Sequence, residues 1–177
     1  MAYLDLVPIH LSDGHIPLDR LGYSLEKTFK LRPRIRPAGF DPDTAWNPDR
    51  NQYNSSLLLA LLLESASHDA RRVLGVAGVD LFIPILTFVF GEAQVNGPVA
   101  IVSEHRLDPE VYGLEANHEQ KYRRLVTESV HELGHTFGLL HCLQPGCVMH
   151  ASNYVEEIDL KRSTFCTNCQ AGLRVLP

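Results

Sequence analysis

The sequence has no cysteine before Cys142 and no apolar run near the ~20 residues that a membrane-spanning helix requires. The leucine-rich residues 57–63 are far too few. At the N-terminus no basic segment precedes an apolar one, and Asp5 interrupts the first apolar residues, so a secretory signal is not indicated. We therefore expect no membrane partner and a cytoplasmic location.

An excess of positive charge is also lacking. The 16 Lys and Arg residues and 21 Asp and Glu residues give a net charge of −5, which does not favour nucleic acid as a partner. Basic residues cluster between Arg20 and Arg36, where we expect a solvated helix face followed by a strand. The length of 177 residues and the hydrophobic fraction of 45% are typical of one globular domain.

Hydrophobic periodicity and turn signals predict alternating strands and helices. Asn96 and Gly97 form a strong hairpin signal between two strands, and Glu92 in the first of these strands is typical of a sheet edge. The pattern predicts an α/β domain with a mixed sheet. We expect strands at residues 3–10, 32–36, 73–82, 88–95 and 99–103, helices at 18–29, 57–67 and 117–137, and a long loop at 37–56.

The segment from His131 to His141 indicates a metal site. His131 and His135 are four residues apart, so a helix projects both imidazoles from one face toward a single cation. Glu132, offset by about 100° around the helix, can contact water at that cation without binding the cation itself. Gly138 can take the left-handed conformation that ends a helix, which turns the chain back and brings His141 to the same ion. Three histidines are typical of an open, catalytic zinc site.

The four cysteines all lie in the last quarter of the chain, as one pair of Cys142 and Cys147 and a second pair of Cys166 and Cys169. Two such pairs favour a tetrahedral zinc site that is closed and structural, because four thiolates leave no coordination position for water. Two disulfides or an iron–sulfur cluster are the alternatives that this spacing leaves open.

Together these motifs resemble the archaemetzincins, a small family in the metzincin clan of zinc peptidases. The resemblance extends over most of residues 50–169 and includes the histidine motif with its adjoining cysteine, Cys147 with Met149, and the last cysteine pair. It implies that Met149 lies beneath the metal in a tight turn, the Met-turn of the clan. The interval between Met149 and Cys166 is one residue shorter than in the family pattern, within an expected helix–loop region.

The resemblance also implies a fold and a set of cofactors. The fold is a twisted mixed β-sheet with an antiparallel edge strand, a long active-site helix and a small zinc-stabilised C-terminal subdomain. We therefore expect one metalloprotease domain over residues 1–177, with an N-terminal subdomain at 1–138 and a C-terminal subdomain at 139–177. Two zinc ions per chain are expected, one catalytic and one structural, together with a peptide or protein substrate that pairs with the edge strand.

The expected activity is hydrolysis of peptide bonds with Glu132 as the general base. The alternative is a zinc-stabilised module that binds peptides with little or no turnover, and Glu132 argues against it. A nucleic-acid binder lacks clustered basic residues near the cysteines. Glu128, one turn before His131, is favoured as a solvated helix residue over a role beside the ligands, whereas His150 suits a pocket or an ordinary loop equally. Substrate, cleavage specificity, endo- or exopeptidase action and oligomeric state stay open.

Overall fold

Strands and helices alternate along most of the chain, as the computed structural model shows for residues 2–12, 14 and 16–173. The order of elements is β1 (Tyr3–Ile9), α1 (Leu18–Phe29), β2 (Arg32–Ile35), β3 (Trp46–Asn47), β4 (Gln52–Asn54), α2 (Ser55–Glu64), β5 (Ala70–Ala77), β6 (Leu81–Phe82), β7 (Gly91–Ala93), β8 (Val99–Ser103), α3 (His118–Thr136), α4 (Val155–Leu160) and α5 (Thr167–Gly172).

A five-stranded sheet with the order β2-β1-β5-β8-β7 forms the centre of the fold. All neighbouring strands in it are parallel except β7, which pairs antiparallel with β8 and forms one edge. The predicted mixed sheet with an antiparallel edge strand is therefore confirmed. The inner strands are buried on both faces, so they carry nearly continuous apolar runs, such as Val99–Ser103, instead of alternating polar residues.

Helices cover both faces of this sheet and make two apolar cores. On one face, α1 and α3 pack against strand residues such as Leu6 and Val102. On the other face, α2 packs against strand residues such as Ile9 and Ile101. The result is a three-layer α/β arrangement in which α3 lies under the strands nearest the antiparallel edge.

Several predicted elements differ from the structure. The expected strand at 73–82 divides into β5 and β6, because a Cβ at Gly78 would lie 2.4 Å from the His10 carbonyl oxygen and the chain bends at this close approach. The expected loop at 37–56 contains β3 and β4, which form a small sheet with β6. The helix expected at 57–67 begins at Ser55 because the Asn54 side chain accepts from the Leu57 amide.

Among the residues that the structure describes, no helix combines the length and the apolar composition that crossing a membrane requires.

Candidate metal centres

His131 and His135 lie in the C-terminal half of α3, and their Nε2 atoms are 3.1 Å apart. The Nδ1 atom of His131 contacts the carbonyl oxygen of Val148, and that of His135 contacts the carbonyl oxygen of Leu139, both at 2.8 Å. A carbonyl oxygen only accepts hydrogen bonds, so both Nδ1 atoms carry the proton. Each imidazole therefore has one backbone carbonyl that fixes its tautomer and the direction of its ring.

The two Nε2 atoms consequently present lone pairs to each other when both imidazoles are neutral. Burial lowers the pKa of His131 well below its usual value, and burial likewise lowers the pKa of His135, so the neutral forms are favoured. Two lone pairs at this distance repel unless a cation lies between them. Tetrahedral Zn–N bonds of about 2.0–2.1 Å separate neighbouring nitrogens by roughly 3.3 Å, so the pair fits a zinc ion.

The end of α3 brings the third histidine to this pair. Gly138 has φ +91°, and the amides of Gly138 and Leu139 donate to the carbonyls of His135 and Gly134 at 2.9 and 3.1 Å. This is a Schellman motif, and it reverses the chain at Gly138, two residues after α3 ends. The His141 ring centroid then lies 5.3 and 5.0 Å from those of His131 and His135, and one ring nitrogen from each of the three histidines lies within 4.8 Å of the others.

Glu132 lies beside these histidines with its side chain covered by the edge strand. It is 6% exposed, and a Cβ on Gly91 would lie 2.8 Å from its Oε1. Only a glycine at position 91 allows β7 to pass this closely over the carboxylate. Burial, followed by the negative charges of Glu128 and Glu92, raises the pKa of Glu132 well above its usual range. The site therefore contains a buried carboxyl group with a raised pKa next to three imidazoles whose pKa values are lowered by burial.

A tight turn places Met149 under the helix. The amide of His150 donates to the carbonyl of Cys147 at 3.0 Å, and the amide of Cys142 donates to the carbonyl of Met149 at 2.9 Å. Met149 is fully buried. The same turn presents the Val148 carbonyl to His131, so the predicted Met-turn segment also orients a histidine that is predicted to bind metal.

The four cysteines form a second cluster, with one sulfur from each within 4.8 Å of the others. None of the four forms a disulfide, and the sulfurs of Cys142 and Cys166 are 3.9 Å apart. Four Zn–S bonds of about 2.3 Å separate neighbouring sulfurs by roughly 3.8 Å, so the cluster matches a zinc tetrahedron and not a disulfide pair. The amide of Cys169 donates to the Cys166 sulfur and lowers the pKa of that thiol to about 7, whereas burial raises the pKa of Cys169, so Cys166 is the first of the two to form a thiolate.

A cleft passes along both sides of the histidines. Its two cavities have volumes of about 440 and 540 Å³, and the walls of both include Gly91, Glu132 and His141. The smaller cavity extends to Phe88 and to the residues after the Met149 turn, and the larger one extends along β7. An extended chain lying beside β7 can therefore cross the three-histidine cluster.

The expectation of a solvated Glu128 is wrong. Glu128 is 3% exposed, lines the smaller cavity, and accepts from the ammonium of Lys161 at 3.0 Å. No spacing signal in the sequence pairs these two residues, because they are far apart in the chain and meet only when α4 packs on α3. His150 is half-buried and donates from Nδ1 to the carbonyl of Cys142, which places it at the junction of the two clusters.

The fold and these clusters define a zinc metallopeptidase, and the comparisons with known proteins agree. Residues 42–175 match peptidase family M54. The archaemetzincin of Methanocaldococcus jannaschii is 43% identical over 133 residues, which cover 75% of this chain and 72% of that protein. The archaemetzincin of Pyrococcus furiosus is 38% identical over 173 residues, which cover 93% and 88% of the two chains. The chain belongs to peptidase family M54, the archaemetzincins.

Solved structures agree with this assignment over nearly the whole chain. The archaemetzincin of Methanopyrus kandleri superposes with a TM-score of 0.82 at 36% identity, covering 98% of this chain and 93% of that one. The archaemetzincin of Archaeoglobus fulgidus, crystallised with malonate, superposes with a TM-score of 0.81 at 33% identity, covering 96% and 99%. The protein is thus a hydrolase that acts on peptides or proteins.

Proposed function

We propose that the chain holds two zinc ions, a catalytic one at the three histidines and a structural one at the four cysteines. The observation that carries the first site is the pair of Nε2 atoms 3.1 Å apart, both with their Nδ1 protons committed to carbonyls. Three nitrogen ligands leave one tetrahedral position for water or substrate, whereas four thiolates leave none. The proposed ligands are His131, His135 and His141 for the catalytic ion and Cys142, Cys147, Cys166 and Cys169 for the structural ion.

The proposed reaction is hydrolysis of a peptide bond with Glu132 as the general base. When bound, zinc supplies Lewis acidity toward the scissile carbonyl and the attacking water. Glu132 accepts a proton from that water as its oxygen adds to the carbonyl carbon, and it later gives the proton to the amine when the C–N bond breaks. Its position suits both steps, because the carboxyl group is buried under β7 beside the three histidines and can carry one proton from the water to the amine.

Substrate is proposed to bind as an added strand along β7. The Phe90 carbonyl accepts from the Ser103 amide, and the Gln94 amide donates to the Val99 carbonyl, so these residues direct their hydrogen bonds toward β8. Main-chain groups in an antiparallel pair alternate in direction, so Gly91 and Ala93 direct theirs toward the open edge. An extended peptide can pair with them and pass over Glu132, with little dependence on its side chains.

The structural zinc is proposed to hold the segment after α3 as a small subdomain, with the boundary at Gly138. Cys142 directly follows His141, so a metal bound by the cysteines also restrains the third histidine. The apolar core of this segment is small, with Val155 and Ile158 as its buried aliphatic residues on α4. Thiolate coordination of zinc supplies folding free energy that such a small core lacks.

The Glu132→Gln variant tests the proposed reaction. It keeps the volume of the side chain but removes its basicity, so we expect peptide turnover to fall by about 10²–10⁴-fold while both zinc ions are retained. Turnover is measured on a peptide library by mass spectrometry and zinc by metal analysis. Glu156→Gln, at an exposed position on α4, is the control and keeps wild-type turnover. Undiminished cleavage by Glu132→Gln contradicts the role of Glu132, and peptide binding without cleavage by the native protein favours the binding module instead.

A further inference from the structure

An ion pair between Glu128 and Lys161 is buried next to the three-histidine cluster. The Lys161 ammonium donates to Glu128 Oε1 and to the His150 carbonyl, both at 3.0 Å. The two side chains are 0% and 4% exposed, for Lys161 and Glu128 respectively. Such a pair is costly to desolvate, and well-packed apolar side chains often replace one with no loss of stability. Its presence therefore calls for a reason beyond holding α4 against α3.

The pair lies close to the proposed catalytic zinc. Glu128 is one helical turn before His131 and lines the same cavity as His131, Glu132 and His141. The carbonyl that Lys161 binds follows directly after Met149, in the turn that also supplies the Val148 carbonyl to His131.

A buried ammonium at this place opposes the binding of a divalent cation. Charges in a protein interior interact over several ångströms with little screening, so one uncompensated positive charge weakens a neighbouring dication site. The carboxylate of Glu128 cancels that charge at a distance of 3.0 Å. Resting on the proposed three-histidine zinc site, we propose that Glu128 sets the zinc affinity of this site by neutralising Lys161.

A purely mechanical role of the pair predicts a different outcome from this electrostatic role. If the pair only clamps α4 and the Met149 turn onto α3, removal of either partner weakens zinc binding, and removal of both does so at least as much. If neutralisation matters, only removal of the carboxylate weakens zinc binding. Removal of both charges then restores it, because no uncompensated charge is left.

The experiment measures the dissociation constant of the zinc at the three histidines by competition with a chromophoric chelator. This ion is expected to exchange more readily than the ion that is enclosed by four thiolates. It compares the native chain, Glu128→Gln, Lys161→Met and the double variant. We expect Glu128→Gln to weaken binding by about 10–100-fold. The double variant is expected to return to within about threefold of the native value, and Lys161→Met to bind zinc at least as tightly as the native chain.

Two controls separate charge from folding. Glu104 is another buried carboxylate that faces a lysine, Lys121, but it lines neither cavity of the cleft. Glu104→Gln is therefore expected to leave the zinc affinity unchanged. The thiolate absorption of cobalt at the four-cysteine site reports whether the C-terminal segment is folded in each variant.

Some outcomes overturn the inference. If the double variant binds zinc as weakly as Glu128→Gln does, the pair is a clamp. The same conclusion follows if Lys161→Met binds zinc as weakly as Glu128→Gln does. If Glu128→Gln does not fold, the Lys161→Met measurement decides alone. A native chain with no chelatable zinc refutes the three-histidine site itself, which is a different failure.

Discussion

The sulfur of Met149 lies against the backbone of α3 at Gly134, so closely that a Cβ at position 134 would be 2.5 Å from it. Gly134 lies between Glu132 and His135 in the histidine motif, where the helix alone does not require glycine. The missing side chain lets the turn that contains Met149 approach α3. That approach brings the Val148 carbonyl within 2.8 Å of His131. The packing of Met149 against Gly134 therefore helps to orient His131, a predicted zinc ligand.

The Gly134→Ala variant tests this packing. An alanine normally favours a helix by about 1 kcal/mol over glycine, but overpacking here costs about 1–3 kcal/mol, so we expect a net loss of unfolding free energy and weaker zinc binding. Urea unfolding and chelator competition measure the two effects. Combined with Met149→Ala, which removes the obstructing sulfur, the alanine is expected to cost less than in the native background. Additive effects of the two substitutions contradict the proposed contact.

The left-handed backbone at Gly138 has a matched control at Gly113. Their φ angles are +91° and +73°, and neither position has an obstructing neighbour for a Cβ within 3.4 Å. Alanine at either position is expected to cost about 1–2 kcal/mol of unfolding free energy, because it enters the same disfavoured region. Gly138→Ala also displaces His141 and weakens binding of the catalytic zinc, whereas Gly113→Ala does not. Equal zinc affinity in both variants refutes a role for the Gly138 turn in gathering the ligands.

Loss of one thiolate tests the coupling of the two metal sites. Cys169→Ser is expected to remove the zinc at the four cysteines, which should otherwise resist a chelator. It is also expected to weaken zinc binding at the three histidines, because His141 directly precedes Cys142 and is no longer restrained by the cysteine-bound metal. Thr167→Ser, in the first turn of α5 between Cys166 and Cys169, is expected to retain both ions. Metal analysis after treatment with a chelator counts the zinc ions. Full retention of the resistant zinc by Cys169→Ser shows that this cysteine is not a ligand.

Strand addition at β7 predicts a specific effect of proline at Ala93. The Ala93 amide faces the open edge, so proline removes a donor to substrate without breaking a bond to β8. We expect Ala93→Pro to raise the KM for peptides about tenfold, the equivalent of about one main-chain hydrogen bond, with little change in unfolding free energy. Ala93→Ser retains the amide and keeps the native KM. A proline variant with native KM excludes this edge as the substrate platform.

Much of the fold follows from local signals in the sequence. The predicted bounds of α1 match the structure, and those of α3 differ by one residue at each end, because apolar periodicity and caps such as Asn117 act within a few residues. The division of the strand at Gly78 was not predictable, since it depends on the backbone at His10, which is distant in sequence. The short strands β3 and β4 need β6 as a partner and carry no periodic pattern of their own.

The sequence by itself determined which side chains supply the proposed metal donors and the proposed base. The donors are His131, His135, His141 and the four cysteines, and the base is Glu132. Their spacing was sufficient because a helix turn and a bend at glycine are local geometry. Only the tertiary structure decided how those atoms are oriented and charged. The carbonyls that fix the imidazoles, the strand over Glu132 and the buried Glu128–Lys161 pair come from segments that meet by packing, and no short-range pattern encodes such contacts.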